Sequence, residues 1–130
     1  MTESELVSVV FQIRDQINFL WNFYVTACAV LIGWIYSDNM SWNKDKYLAI
    51  SGLFFVFALI NVLAVHKEYG LLALALSDLI NNASVSGKFV PALAQSGGLG
   101  AMGATLVHLL VDVLLLLLIR HRFNKKLIRV

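Results

Sequence analysis

Long runs of apolar residues, separated by short polar stretches, make up most of the chain. Thr2 and Glu5 have the spacing of a helical capping box, and apolar residues then recur at helical spacing, which predicts an amphipathic helix over residues 1–16. Three apolar runs follow, each near the length of about 20 residues that crosses a bilayer as a helix. These runs lie at residues 17–37, 47–65 and 99–119. The pattern therefore predicts an all-α integral membrane protein with three transmembrane helices.

A shorter apolar stretch, residues 71–82, lies between the second and third runs. It is too short to cross a bilayer, so we expect an interfacial or re-entrant helix there, after a kink between His66 and Gly70. Residues 83–98 contain the only proline of the chain and predict a loop. A four-span alternative, in which residues 71–82 also cross, stays open. In either case the whole chain forms one membrane domain that ends in a basic tail, residues 120–130.

The composition supports a membrane location, and the positive charges are concentrated at the C-terminal end of the chain. Hydrophobic residues make up 59% of the chain and charged residues 14%, whereas about a quarter of the residues of soluble domains are charged. Five of the ten lysine and arginine residues lie in the basic tail: Arg120, Arg122, Lys125, Lys126 and Arg129. The positive-inside rule then predicts a cytoplasmic C-terminus for three or four spans, and leaves the side of the N-terminus open.

The third apolar run contains two ionisable residues, His108 and Asp112. Their i, i+4 spacing places them on one helix face, where they can pair. An aspartate at a helix centre costs about 2.5–3.5 kcal/mol on insertion, so it tends to face protein or water. We number the helices of the three apolar runs α1, α2 and α3 in chain order. Residues at heptad-like spacing extend this face of α3, which we call the α3 stripe: Thr105, His108, Asp112, Leu115 and Ile119.

Two interpretations of the α3 stripe are open. In a homo-oligomer it could line an ion path, with Asp112 forming a carboxylate ring and with Leu115 and Ile119 forming a hydrophobic gate. Alternatively, His108 and Asp112 satisfy each other, or Asn61, in an ordinary helix interface.

The first apolar run offers a rival pore-lining face, which we call the α1 stripe. It combines amide, hydroxyl and small side chains at helical spacing: Asp15, Asn18, Asn22, Thr26, Ala29 and Gly33. Such a face can line water, or it can hydrogen-bond to a neighbouring helix and pack closely against it. Trp21 and Tyr24 near one end of the same run are typical of an interfacial aromatic belt.

The basic tail also has two interpretations. Its cations can bind anionic lipid and fix the topology. In an oligomer they could instead converge on a phosphate-rich ligand such as a nucleotide or a short single-stranded nucleic acid, and we name Arg120, Arg122, Lys125, Lys126 and Arg129 as the candidate ligand-binding residues.

With its short multi-span pattern and the charged end RHRFNKK, the chain resembles the membrane effectors of bacterial anti-phage signalling systems. That resemblance implies a tetramer-like channel in the bacterial inner membrane, gated by a ligand from the cytoplasm, that arrests growth of the infected cell.

The favoured function is a homo-oligomeric ion channel, and two alternatives remain. His108 could ligate haem in a membrane-anchor subunit of a redox enzyme, or the His108/Asp112 pair could relay protons in a small transporter. No catalytic constellation or metal-ligand spacing is present in the sequence, so we expect no enzyme activity and no cofactor or metal of its own.

Overall fold

The computed structural model describes residues 2–37, 41–82, 91–93 and 98–127, and this part of the chain is built from three long helices. Helix α1 covers Glu3–Tyr36, helix α2 covers Lys44–Asn82 and helix α3 covers Gly100–Leu127. Each is long and apolar enough to cross a membrane. No strand occurs in the described residues. The prediction of an all-α membrane protein is confirmed.

Helices that are neighbours in the sequence run antiparallel to each other. The start of α1 and the end of α2 share one apolar cluster through Leu6 and Leu79. At the other end of the molecule, the rings of Tyr47 at the start of α2 and Phe123 near the end of α3 stack with centroids 4.5 Å apart. Helices α1 and α3 are therefore parallel. Five described cations lie where α1 ends, α2 begins and α3 ends. We call this region the basic end: Lys44, Lys46, Arg120, Arg122 and Lys125.

Helix α1 begins as its sequence predicts and then continues without interruption. The Thr2 hydroxyl accepts a hydrogen bond from the Glu5 amide at 3.3 Å, and the Glu5 carboxylate accepts one from the Thr2 amide at 2.7 Å. These two bonds form the capping box, which satisfies amide groups that have no partner within the helix. The predicted amphipathic segment and the first span are one helix.

Helix α2 differs from the sequence prediction because it runs without interruption from His66 through Gly70. Residues 71–82 continue the helix of the second span instead of forming a separate one. A glycine inside a helix costs only about 1 kcal/mol relative to alanine. Burial of Leu72 and Leu79 against the first turns of α1 offsets that cost. At 1.5 Å per residue α2 is about 58 Å long, so its last turns and the start of α1 extend beyond a hydrocarbon core of about 30 Å.

Most of the predicted loop, residues 83–98, lies outside the described residues. The described residues 91–93 form a short helical turn beside α1. Leu93 is buried in the same apolar cluster as Leu6 and Leu79, and its carbonyl accepts a hydrogen bond of 3.1 Å from the Arg14 guanidinium. This turn therefore packs at the end of the molecule opposite the basic end.

Candidate intramembrane site

A hydrogen bond between Tyr24 of α1 and Asp112 of α3 lies inside the helix bundle. The Tyr24 hydroxyl donates to Asp112 Oδ1 at 2.7 Å, and both side chains are buried, with Tyr24 only 2% exposed. Each residue is within one helical turn of the centre of its apolar run. Tyr24 is therefore not part of an interfacial aromatic belt, as the sequence suggests, but the partner of the carboxylate in the membrane interior.

The His108 side chain is fully buried one turn before Asp112. Its ring packs against Trp21 and Tyr24, with ring centroids 4.1 Å and 4.4 Å away. His108 Nδ1 lies 3.0 Å from the Ala104 carbonyl oxygen. Because a carbonyl only accepts, Nδ1 must carry the proton. His108 Nε2 is buried and has no hydrogen-bond partner in the described part of the chain.

The sequence correctly places His108 and Asp112 on one face of α3, but the two side chains do not hydrogen-bond to each other. Asp112 accepts from Tyr24, while His108 donates to the backbone one turn earlier. Asn61, the other predicted partner, is buried on α2, and its Nδ2 lacks a partner among the described residues. The pairing expected along one helix is thus replaced by a bond between two helices.

The remaining residues of the α3 stripe also face the interior of the single chain. Leu115 and Ile119 are buried against α1 and α2 in one apolar cluster. Thr105 is half-buried, donates to the Ala101 carbonyl at 2.7 Å, and lies 3.0 Å from His66 Nδ1 of α2. A path between copies could be lined by this stripe only if α3 separated from the other two helices. The packing therefore favours the interpretation of the α3 stripe as an internal helix interface.

The α1 stripe has the opposite orientation. All six of its residues are exposed: Asp15, Asn18, Asn22, Thr26, Ala29 and Gly33. At 100° per residue they fall within a sector of about 80°, on the side of α1 away from the buried Tyr24. Asn22 and Thr26 flank Tyr24 in sequence, so they lie at the depth of Asp112. The structure thus presents amide and hydroxyl groups outward in the middle of the apolar segment.

At the basic end, aromatic rings hold part of the tail. The Arg122 guanidinium lies over the ring of Tyr36, 4.6 Å from its centroid. Helix α3 continues through residues 120–127 of the predicted tail, and Arg120 and Lys125 are exposed there. The side chain of Lys126 and all of Arg129 lie outside the described residues. Among the five candidate ligand-binding residues, the structure therefore gives Arg122 a defined aromatic contact.

The described side chains offer no evident metal centre. No group of three or more His, Cys, Asp or Glu side chains converges to hold a metal ion within the described ranges. Cys28 is buried one turn after Tyr24, in the same apolar cluster as Leu115 and Ile119. No protein family, curated protein or solved structure matches this chain.

Proposed function

We propose that the protein is a homo-oligomeric membrane channel whose ion path runs along the α1 stripe. The observation that supports this proposal is the outward exposure of Asn22 and Thr26 in the middle of an apolar segment. A polar group that faces hydrocarbon without a hydrogen-bond partner costs about 1–3 kcal/mol. Copies of the chain that meet around a shared aqueous path would remove that cost, because the stripe would then face water and the same stripe of its neighbours.

The stripe has two halves with different properties. Asp15, Asn18 and Asn22 occupy the half farther from the basic end, whereas Ala29 and Gly33 occupy the half nearer to it. Small residues allow helices to approach closely, while amides and a carboxylate can replace part of the hydration shell of an ion. The path is therefore expected to be wide and polar at Asp15, to narrow near Gly33, and to conduct cations.

The Tyr24–Asp112 hydrogen bond has a role in this arrangement. Tyr24 projects from the side of α1 nearly opposite to the stripe, so its bond to α3 fixes the rotation of α1 about its own axis. With Tyr24 held inside the bundle, the stripe must face outward. The buried polar residues of the α3 stripe, which the sequence suggests as a pore lining, would thus orient the α1 stripe from inside the bundle.

The basic end would face the cytoplasm of a bacterial inner membrane and receive the gating signal. Arg120 and Lys125 are exposed there, and Lys44 lies at the same end of the bundle. Such a cluster of cations attracts phosphate groups, so a nucleotide or a short single strand is the proposed opening ligand. In a cell, opening of the channel would act as the effector step of antiviral defence.

Disulfide cross-linking tests assembly through the α1 stripe. In a Cys28→Ser background, which removes the only native cysteine, Ala29→Cys is expected to form covalent dimers in membranes under mild oxidation. Val30→Cys is the matched control, because Val30 is the next residue, is exposed, and lies about 100° around the helix from Ala29. Equal cross-linking of the two variants, or none in either, would contradict assembly along the stripe.

A further inference from the structure

An apolar groove lies between α1 and α2 in the half of the bundle nearer to the basic end. It has a volume of about 430 Å³. Ala27, Leu31 and Trp34 line it on α1, and Ala49, Leu53 and Phe57 line it on α2. From Ala49 to Phe57 it extends about 12 Å along the helix axis, which is close to the depth of one hydrocarbon leaflet. Its size and lining suit one acyl chain.

A lysine is positioned at the end of this groove. Lys46 lies one turn before Ala49 and Ile50, on the face of α2 that lines the groove. Its ammonium group donates to the Ser41 carbonyl at 3.0 Å and to the Ser41 hydroxyl at 2.8 Å. Its backbone amide donates to Asn43 Oδ1 at 2.8 Å, which fixes the first turn of α2. The side chain is therefore held in place at the mouth of the groove.

One of the three hydrogen-bond donors of the Lys46 ammonium group has no partner among the described residues. An ammonium group has three N–H bonds, and the two bonds to Ser41 use two of them. The positive end of the α2 dipole adds to the attraction for an anion at the same place. A groove as deep as one leaflet and a cation at its mouth, whose third donor is unpaired among the described residues, match the acyl chain and the phosphate group of a phospholipid.

We propose that the α1–α2 groove is a binding site for an anionic phospholipid of the leaflet at the basic end. One acyl chain fills the groove, and a phosphate oxygen accepts the third hydrogen bond of Lys46. Basic side chains between transmembrane helices are a recurrent site for anionic head groups. This site does not depend on the channel proposal, because the groove lies on a different side of α1 from the stripe.

Quenching of Trp34 by brominated lipids tests the proposal. Trp34 lines the groove and becomes the only tryptophan in a Trp21→Phe/Trp42→Phe variant. In vesicles that contain brominated phosphatidylglycerol or brominated phosphatidylcholine, we expect the anionic lipid to associate about fivefold more strongly at Trp34, the factor that one lysine near a membrane surface supplies. Lys46→Gln should abolish that preference.

Lys44→Gln is the matched control, because Lys44 lies about 160° away from Lys46 around α2 at 100° per residue. It should keep the preference. Ala49→Leu, which fills the groove, should reduce quenching by both lipids. Equal quenching by the two lipids in the parent variant, or an equal loss in Lys44→Gln and Lys46→Gln, would overturn the site. Absence of quenching by either lipid would show that another occupant, such as a helix of a second copy, covers the groove.

A second measurement on the chain with its own tryptophans covers the case in which the single-tryptophan variant does not fold. Native mass spectrometry after extraction from mixed vesicles should show retained phosphatidylglycerol in excess of phosphatidylcholine. That excess should be lost in Lys46→Gln and kept in Lys44→Gln. Retention that is the same in all three proteins would overturn the proposal.

Discussion

Replacement of Tyr24 by phenylalanine is expected to lower the free energy of unfolding of the helix bundle by about 2 kcal/mol. The substitution keeps the ring that packs against His108 and Phe57 and removes only the hydroxyl. Asp112 Oδ1 then loses the 2.7 Å hydrogen bond, and within the described residues of α1 and α2 no other side chain hydrogen-bonds to this buried carboxyl group. Reversible unfolding in mixed micelles of a denaturing and a non-ionic detergent measures the change.

Two further variants separate the hydrogen bond from other effects of this change. Tyr36→Phe removes a hydroxyl from an exposed tyrosine on the same helix and should leave the stability within about 0.5 kcal/mol of the parent. Tyr24→Phe/Asp112→Leu replaces both buried partners by apolar groups and should recover much of the loss, since no polar atom of the pair remains unpaired. An unchanged stability of Tyr24→Phe would show that the bond does not hold α1 against α3.

Asn22→Leu is expected to reduce ion flux through reconstituted protein by about tenfold, which corresponds to about 1.4 kcal/mol of added barrier. In the proposed assembly, each copy would contribute a leucine at the middle of the path. A ring of such side chains expels water and closes a narrow pore to ions. Flux from liposomes loaded with a cation indicator measures the effect.

The matched control is Asn61→Leu, the same substitution inside the protomer. Asn61 is buried on α2, and its Nδ2 makes no hydrogen bond in the described chain, so its removal should change stability by less than about 1 kcal/mol. Flux should remain at the parental level. Equal loss of flux in the two variants would mean that Asn22 acts through folding and not through the path.

Much of this fold could be predicted from the sequence because local rules determine it. The spacing of Thr2 and Glu5 predicts the helix start, and the three long apolar runs predict the spans. The continuity of α2 could not be predicted, because Gly70 weakens the helix by about 1 kcal/mol and only packing of Leu72 and Leu79 against α1 offsets that cost. The helix-breaking tendency of one glycine is thus smaller in free energy than the tertiary contacts made by the residues after it.

The candidate site illustrates a different limit. A polar face within an apolar helix must face protein or water, but its sequence does not say which. The α3 stripe and the α1 stripe satisfy the same pattern, yet His108 and Asp112 face the interior while Asn22 and Thr26 face outward. Tyr24 carries no signal for its role, since the aromatic residues of a span usually indicate interfacial belts and nothing in the local pattern marks one of them as the partner of a carboxylate on another helix. Only the arrangement of three helices brings it to Asp112.

In the proposed channel, the interior polar residues therefore have a structural role. Hydrogen bonds between transmembrane helices contribute about 0.6 kcal/mol on average, and the burial of Asp112 raises the cost of losing its partner. The main effect of the interior polar residues is to orient α1, because the hydrogen bond from Tyr24 selects one rotation of this helix about its axis. In the proposed assembly, the Tyr24–Asp112 bond inside each copy keeps the α1 stripe on the outer surface, where the stripes of neighbouring copies can meet.

An ion path along the α1 stripe requires that water reach this stripe at the middle of the membrane, and a charged thiol reagent detects that water directly. In the Cys28→Ser background, flux through Thr26→Cys channels should fall when a charged, membrane-impermeant methanethiosulfonate reagent is added. Flux through Phe23→Cys, whose exposed side chain lies about 100° around α1 from the centre of the stripe at 100° per residue, should not change. Flux that persists in Thr26→Cys after the reagent, or that falls equally in both variants, would contradict a path along the α1 stripe.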